Sequence, residues 1–176
     1  IGEMAVLGTV NDISMCGAEP KYLSLSFIIE EGFAMEDFEK IIHSIKLATE
    51  KAGVQIVTGD TKVVEREKGD KIYINTSGIG VIYDNAKIGI EYIKPNQTII
   101  INRDIASHGM AIMSEREGLK FDSEILSDTK NLNFEVKKLI EHFGEKIHFL
   151  RDATRGGLAS VLNEITSESN FGIHLF

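Results

Sequence analysis

The sequence predicts an α+β fold, on three observations. Alternating apolar and polar stretches read as long strands, apolar residues at helical spacing read as amphipathic helices, and the two kinds do not follow each other in strict alternation.

Residues 4–17 place Ala5, Val6, Leu7, Val10, Ile13 and Met15 among few breakers, which predicts a helix that Gly17 and Pro20 end. Residues 22–29 alternate and then turn fully apolar, as in a largely buried strand. From Met35, a second helix carries Phe38, Ile41, Ile42, Ile45 and Ala48 on one stripe. Glu36 and Asp37 suit its first turn, Lys51 its last, and Gly53 supplies the stop. Residues 54–58 form a strand entering Gly59-Asp60-Thr61-Lys62, which Val63 and Val64 continue. Residues 65–70 are a polar loop. Residues 71–83 alternate again, with Gly78 and Gly80 marking a bulge or a close backbone approach.

Residues 84–97, with Pro95-Asn96, are the expected boundary between two domains. Beyond it come a short apolar strand at 98–102, a short helix at 109–117 and a helix at 132–143. A last helix carries Leu158, Val161, Leu162 and Ile165, and residues 172–176 read as the start of a strand.

Composition narrows the function. The chain of 176 residues is 43% hydrophobic and 26% charged, with no apolar run long enough for a membrane span. A formal charge of −8 argues against nucleic-acid and anionic-membrane partners, but a nucleotide needs only a local site with a metal. The five histidines have no zinc-ligand spacing. The single cysteine, Cys16, lies in an apolar stretch and is expected to be a buried, inert thiol in a reducing cytoplasm. Ile1 in place of an initiator methionine, and the strand-like end, suggest a chain cut at both ends.

Three segments put a carboxylate where chemistry is expected: Asn11-Asp12, Gly59-Asp60-Thr61-Lys62, and Asp152-Ala-Thr154-Arg155-Gly156-Gly157. Magnesium takes oxygen ligands, so Asp12, Asp60 and Asp152 are the candidate metal ligands; singly, each also suits a turn or a cap. Gly59 would let the chain bend beside a ligand, Thr61 offers a hydroxyl and Lys62 a mobile cation. Arg155-Gly156-Gly157 enters a helix, where N–H groups and a guanidinium meet an anion. His108 stands before a helix and is either a phosphate contact or a surface turn residue.

Read in order, these segments resemble the HypE family of hydrogenase maturation factors, within the superfamily of aminoimidazole ribonucleotide synthetase and selenophosphate synthetase. The resemblance lies in Thr9-Val-Asn-Asp-Ile-Ser-Met-Cys-Gly-Ala18, Phe27-Ile-Ile-Glu-Glu-Gly32, Gly59-Asp-Thr-Lys-Val-Val64, Ile74-Asn-Thr-Ser-Gly-Ile-Gly80, Ser114-Glu-Arg-Glu-Gly118 and Arg151-Asp-Ala-Thr-Arg-Gly-Gly-Leu158. It implies a PurM-like two-domain fold. Residues 1–88 would be the rest of an ATP-binding and dimerisation domain, a mixed sheet with helices on one face. Residues 89–176 would begin a C-terminal α/β sandwich.

The implied activity is ATP- and magnesium-dependent dehydration of a carbamoylated C-terminal cysteine to thiocyanate, a cyanide source for the iron of [NiFe] hydrogenase. The acceptor cysteine would lie beyond Phe176, so this stretch alone is expected to be inactive. The implied partners are a second copy of the chain, the carbamoyltransferase HypF, and a HypC–HypD complex as cyanide acceptor. The site residues implied are Asp12, Asp60 and Asp152 for the metal, and Asn11, Thr61, Lys62, His108, Thr154, Arg155, Gly156 and Gly157 around the phosphates. Lys62 and Asp60 are the implied catalytic pair. Ala106 stands where the family tends to have glycine, which puts a backbone anion nest at that turn in question. A synthetase of the two related kinds is the alternative enzyme, and a protein-binding subunit without nucleotide the alternative outside catalysis.

Overall fold

The structure, a computed structural model, describes residues 1–118 and 127–175. The first half runs α1 (Gly2–Met15), β1 (Ala18–Glu30), α2 (Met35–Ala52), β2 (Gln55–Val64) and β3 (Ile72–Ile82). β1 is the central strand, with β2 parallel on one side and β3 antiparallel on the other. A parallel neighbour requires a crossover, and α2 is that crossover.

Both helices cover the face of the sheet that Leu23, Leu25 and Phe27 present, and Val6, Leu7, Val10, Ile41, Ile45, Ala48 and Ala52 close the core against it. The Phe38 ring meets Phe27 edge to face at 5.2 Å. Ile1 provides no side-chain cap for α1, and Ser44 of α2 accepts the Glu3 N–H instead at 3.0 Å. Gly53 closes α2 in the left-handed region, as its position predicts.

The glycines of β3 explain how close α1 comes. A Cβ on Gly78 would lie 2.6 Å from both Ile13 Cδ1 and Leu23 Cδ2, and one on Gly80 2.6 Å from the Glu19 carbonyl oxygen. The register also shifts between Pro20 and Tyr22, opposite Gly80 and Ile79, so the bulge and the close approach occur together. Thr76 completes the contact: its hydroxyl donates to the Ala5 carbonyl at 2.7 Å, so the Thr9 hydroxyl, 2.6 Å away, is the donor to Thr76.

The second half contains α3 (Ser107–Glu117), α4 (Asn133–Phe143) and α5 (Gly157–Glu168), with single turns of 3₁₀ helix at Ile90–Tyr92 and Gly144–Lys146. α4 buries Val136 and Ile140 and packs on α1 and β1. The segment 84–97 is held to the second half by Asn85 Nδ2 donating to the Ile140 carbonyl and Gly89 N–H donating to the His148 carbonyl, both at 2.9 Å.

Three expectations fail. Residues 98–102 form no strand, and Ile99, Ile100 and Ile101 are exposed, because a strand needs a backbone partner and none pairs with them among the described residues. Residues 172–175 form no strand either, and Phe176 lies outside the described residues. Cys16 is exposed: it follows the last turn of α1, and the chain turns at the left-handed Gly17 to enter β1.

α3 begins at Ser107, two residues earlier than its pattern suggests, and its N-cap is Ala106 at φ 67°, in the left-handed region. The glycine conformation is therefore kept without the glycine, at a cost of about 1–2 kcal/mol. Ala106→Gly is expected to slow amide exchange in α3 about fivefold, the equivalent of ~1 kcal/mol. Unchanged exchange would show that the turn carries no strain.

Candidate functional site

Asp12 projects from the last turns of α1, and Asp152 lies in the loop leading into α5. The structure brings these two carboxylates close enough for the charge of Asp152 to act on Asp12. Asp12 is exposed, and partial desolvation of its carboxyl is the first cause that raises it above its ordinary value; the neighbouring Asp152 charge raises it further, and the Arg151 guanidinium partly offsets them. Arg151 is itself held to α5, 3.1 Å from Glu164. Two carboxylates at one place repel unless they share a proton or a cation, so the pair fits a hard divalent ion that takes oxygen ligands.

The same loop ends in Thr154, Arg155, Gly156 and Gly157. Gly156 and Gly157 both adopt positive φ, 67° and 60°, and a Cβ on Gly156 would collide with the Ser160 side chain. No side chain caps α5, so its first N–H groups lack side-chain acceptors. Arg155 and Thr154 are exposed beside them. A helix start reached through two left-handed glycines and flanked by an arginine suits an anion.

The Gly59-Asp60-Thr61-Lys62 segment is placed differently from its sequence reading. It lies in the interior of β2, paired with residues 25–28 of β1. Gly59 makes no bend there: its place is flush against the central strand, where a Cβ would run into the Leu25 carbonyl. Asp60 and Lys62 share the outer face with Ser26, Asn75 and Tyr73, while Thr61 lies in register with Phe27. The Asp60 carboxylate accepts the Thr61 N–H at 2.8 Å.

Asp12 and Asp152 come close, but no group of three metal-holding side chains occurs among the described residues, and Asp60 stands on β2 without joining them. His108, in the first turn of α3, uses Nδ1 toward the Ser127 hydroxyl at 2.9 Å. Asn11 turns its amide to the second half: Nδ2 donates to the Lys130 carbonyl at 2.9 Å, and Oδ1 accepts the Leu132 N–H at 3.0 Å. A cleft of about 550 Å³, lined by Glu30, Phe33, Asp37, Arg66 and Lys71 among others, includes none of these residues.

The sequence reading gave no role to Arg151, Asn131 or Asn133. The charge of Arg151 beside Asp152 was a visible signal; the asparagine contacts bridge distant segments and had none.

Two family models match: the N-terminal domain of AIR synthase related protein over residues 1–82, and its C-terminal domain over 94–176. The chain is 49% identical over 175 residues to "Carbamoyl dehydratase HypE" of Bradyrhizobium diazoefficiens, a match covering 99% of this chain and 51% of that protein. A solved HypE–HypF complex superposes with a TM-score of 0.93 at 53% identity, covering 96% of this chain and 55% of that one. HypE solved in complex with ATP superposes with a TM-score of 0.89 at 49% identity, over 93% of this chain and 49% of that one. The chain thus spans about half the length of the curated relatives it matches.

Proposed function

The chain belongs to the AIR synthase related family, in its HypE branch, and from that membership we propose that it forms part of an ATP-dependent carbamoyl dehydratase acting in hydrogenase maturation. The observation that carries the reading is the Asp12–Asp152 pair beside the uncapped, glycine-entered start of α5. Carboxylates for a cation next to N–H groups for a phosphate are the parts a magnesium-nucleotide site requires.

On this reading Asp12 and Asp152 would hold Mg2+, while Asp60, which does not join them in this chain, is a further candidate carboxylate on β2. Thr154, Arg155, Gly156 and Gly157 receive the phosphates, with His108 and Thr61 as further contacts. Bound magnesium supplies neutralisation of phosphate charge. Arg155 adds a planar fork that aligns the transferring group, and the α5 N–H groups stabilise the charge it develops. Lys62 either contacts the phosphate or takes a proton, with Asp60 two residues away on the same face of β2.

The substrate is a carbamoylated C-terminal cysteine, dehydrated to thiocyanate, and Cys16, exposed at the end of α1, lies in a different segment from that cysteine. The solved HypE–HypF complex supports HypF as a partner, with a HypC–HypD complex receiving the cyanide. A homodimer is supported by the outer sheet face, where Tyr22, Ile28, Tyr73 and Ile79 are exposed together. Among the described residues no helix is long and apolar enough to cross a membrane, and a cytoplasmic location suits a chain with one cysteine. The domains are proposed as residues 1–88 and 89–176.

Thermal unfolding of the intact protein tests the reading. Mg-ATP at about 100 times its dissociation constant is expected to stabilise the fold by ~2.7 kcal/mol. Asp60→Asn is expected to weaken this magnesium-dependent binding, and unchanged affinity would remove Asp60 from the site. No midpoint shift at saturating Mg-ATP would instead favour a protein-binding subunit without nucleotide.

A further inference from the structure

The seam between the two halves is held by three asparagines. Asn11 grips residues 130–132 as a neighbouring strand would, its amide donating to the Lys130 carbonyl and accepting the Leu132 N–H. On either side of Leu132, Asn131 Nδ2 donates to the Lys51 carbonyl at 3.3 Å, and the buried Asn133 Nδ2 donates to the Ala52 carbonyl at 2.8 Å. Lys51 and Ala52 end α2, where carbonyls have no partner within the helix. Residues 130–133 are therefore fastened to the last turns of both α1 and α2. Asp12, the next residue after Asn11, feels the charge of Asp152 across the same seam.

We propose that Asn11 is a positioning residue: it fastens residues 130–132 to α1 and so fixes the separation of Asp12 and Asp152, instead of contacting phosphate itself. The role rests on the reading that those two carboxylates hold the cation. Side-chain chemistry explains the choice of residue. Aspartate keeps an acceptor for Leu132 but has no donor for the Lys130 carbonyl, glutamine is one methylene longer, and serine is too short to span both partners. An amide committed at both ends is a poor phosphate ligand. The same commitment makes it a good spacer, because any shift of α1 against the second half breaks two hydrogen bonds at once.

Hydrogen exchange at the Leu132 amide, together with magnesium and ATP affinity, tests this in the intact protein. Asn11→Ala is expected to speed Leu132 exchange by about 10-fold or more while the β1 amides keep their wild-type rates. Magnesium affinity, measured with the metal alone, and ATP affinity are expected to fall together. Asn11→Asp retains the acceptor for Leu132 but sets a carboxylate oxygen against the Lys130 carbonyl, and is expected to speed Leu132 exchange less than Asn11→Ala does. Should Asn11→Ala not fold, Asn11→Ser serves the same comparison. Wild-type exchange at Leu132 in a folded Asn11→Ala or Asn11→Ser variant overturns the proposal, as does a loss of ATP affinity with magnesium affinity intact. If Leu132 responds but magnesium binds neither the wild type nor the variant, the fastening stands and the cation reading fails.

Discussion

Gly59→Ala is expected to destabilise the protein by about 3 kcal/mol with no ligand present, the upper range for forcing a group into filled space. For a chain of this size that lowers the thermal midpoint by roughly 6–12 °C. The added methyl group runs into the Leu25 carbonyl oxygen, and Leu25 is buried in the middle of the central strand. A flexible side chain would swing aside, but here the obstacle is backbone, hydrogen-bonded into a sheet with a neighbour on each side. An unchanged midpoint in the ligand-free protein would sink this account and return Gly59 to the ligand-binding role its motif suggests.

Asp12→Asn is expected to have opposite effects on stability and binding. The Asp12 carboxyl is raised, first by partial desolvation and then by Asp152, so its proton is bound more tightly in the folded chain than in the unfolded one. Folding is therefore favoured by this group below its ordinary value of 3.8, and that contribution is lost as pH rises through the folded value. Asparagine removes the loss. The variant should be more stable than wild type near neutral pH, with the difference vanishing at low pH. Magnesium-dependent nucleotide affinity should fall by at least the ~100-fold reached when groups supporting a metal ligand are removed. Denaturant midpoints across pH and calorimetric titration with Mg-ATP measure the two effects. A variant less stable at neutral pH, or one that binds normally, contradicts this role for Asp12.

The first half was legible because each of its elements declares its own period. The stripe of α2 and the alternation of β1 and β3 are local signals, and the helix and strand boundaries fall within a few residues of them. Gly78 and Gly80 were legible too, since glycine inside a strand has few reasons to be there. Where the reading went astray, the deciding partner was distant in sequence. Gly59 looked like a bend because its obstacle, Leu25, belongs to another strand. Residues 98–102 have the composition of a strand, but pairing is a property of two segments and composition of one. Cys16 sits among apolar residues in sequence, yet the helix ends one residue before it. Asn11 and Leu132 are too far apart for any spacing rule to connect them.

In this sheet, two strands adjacent in sequence, β2 and β3, have β1 lying between them. Refolding therefore faces a competition. A β2–β3 hairpin is the nearest pairing available to the denatured chain, closing only the short stretch of residues 65–71, but it shuts the slot that β1 occupies. The native pairs close much longer loops, with Ala18 opposite Ile82 at the extreme. α2 offers a way out of the trap, because once it packs against β1 it delivers β2 to the correct edge before β3 arrives. The late capture of β3 by an existing β1–α2–β2 unit is then the expected slow step of refolding, on the millisecond-to-second scale of sheets with distant pairings.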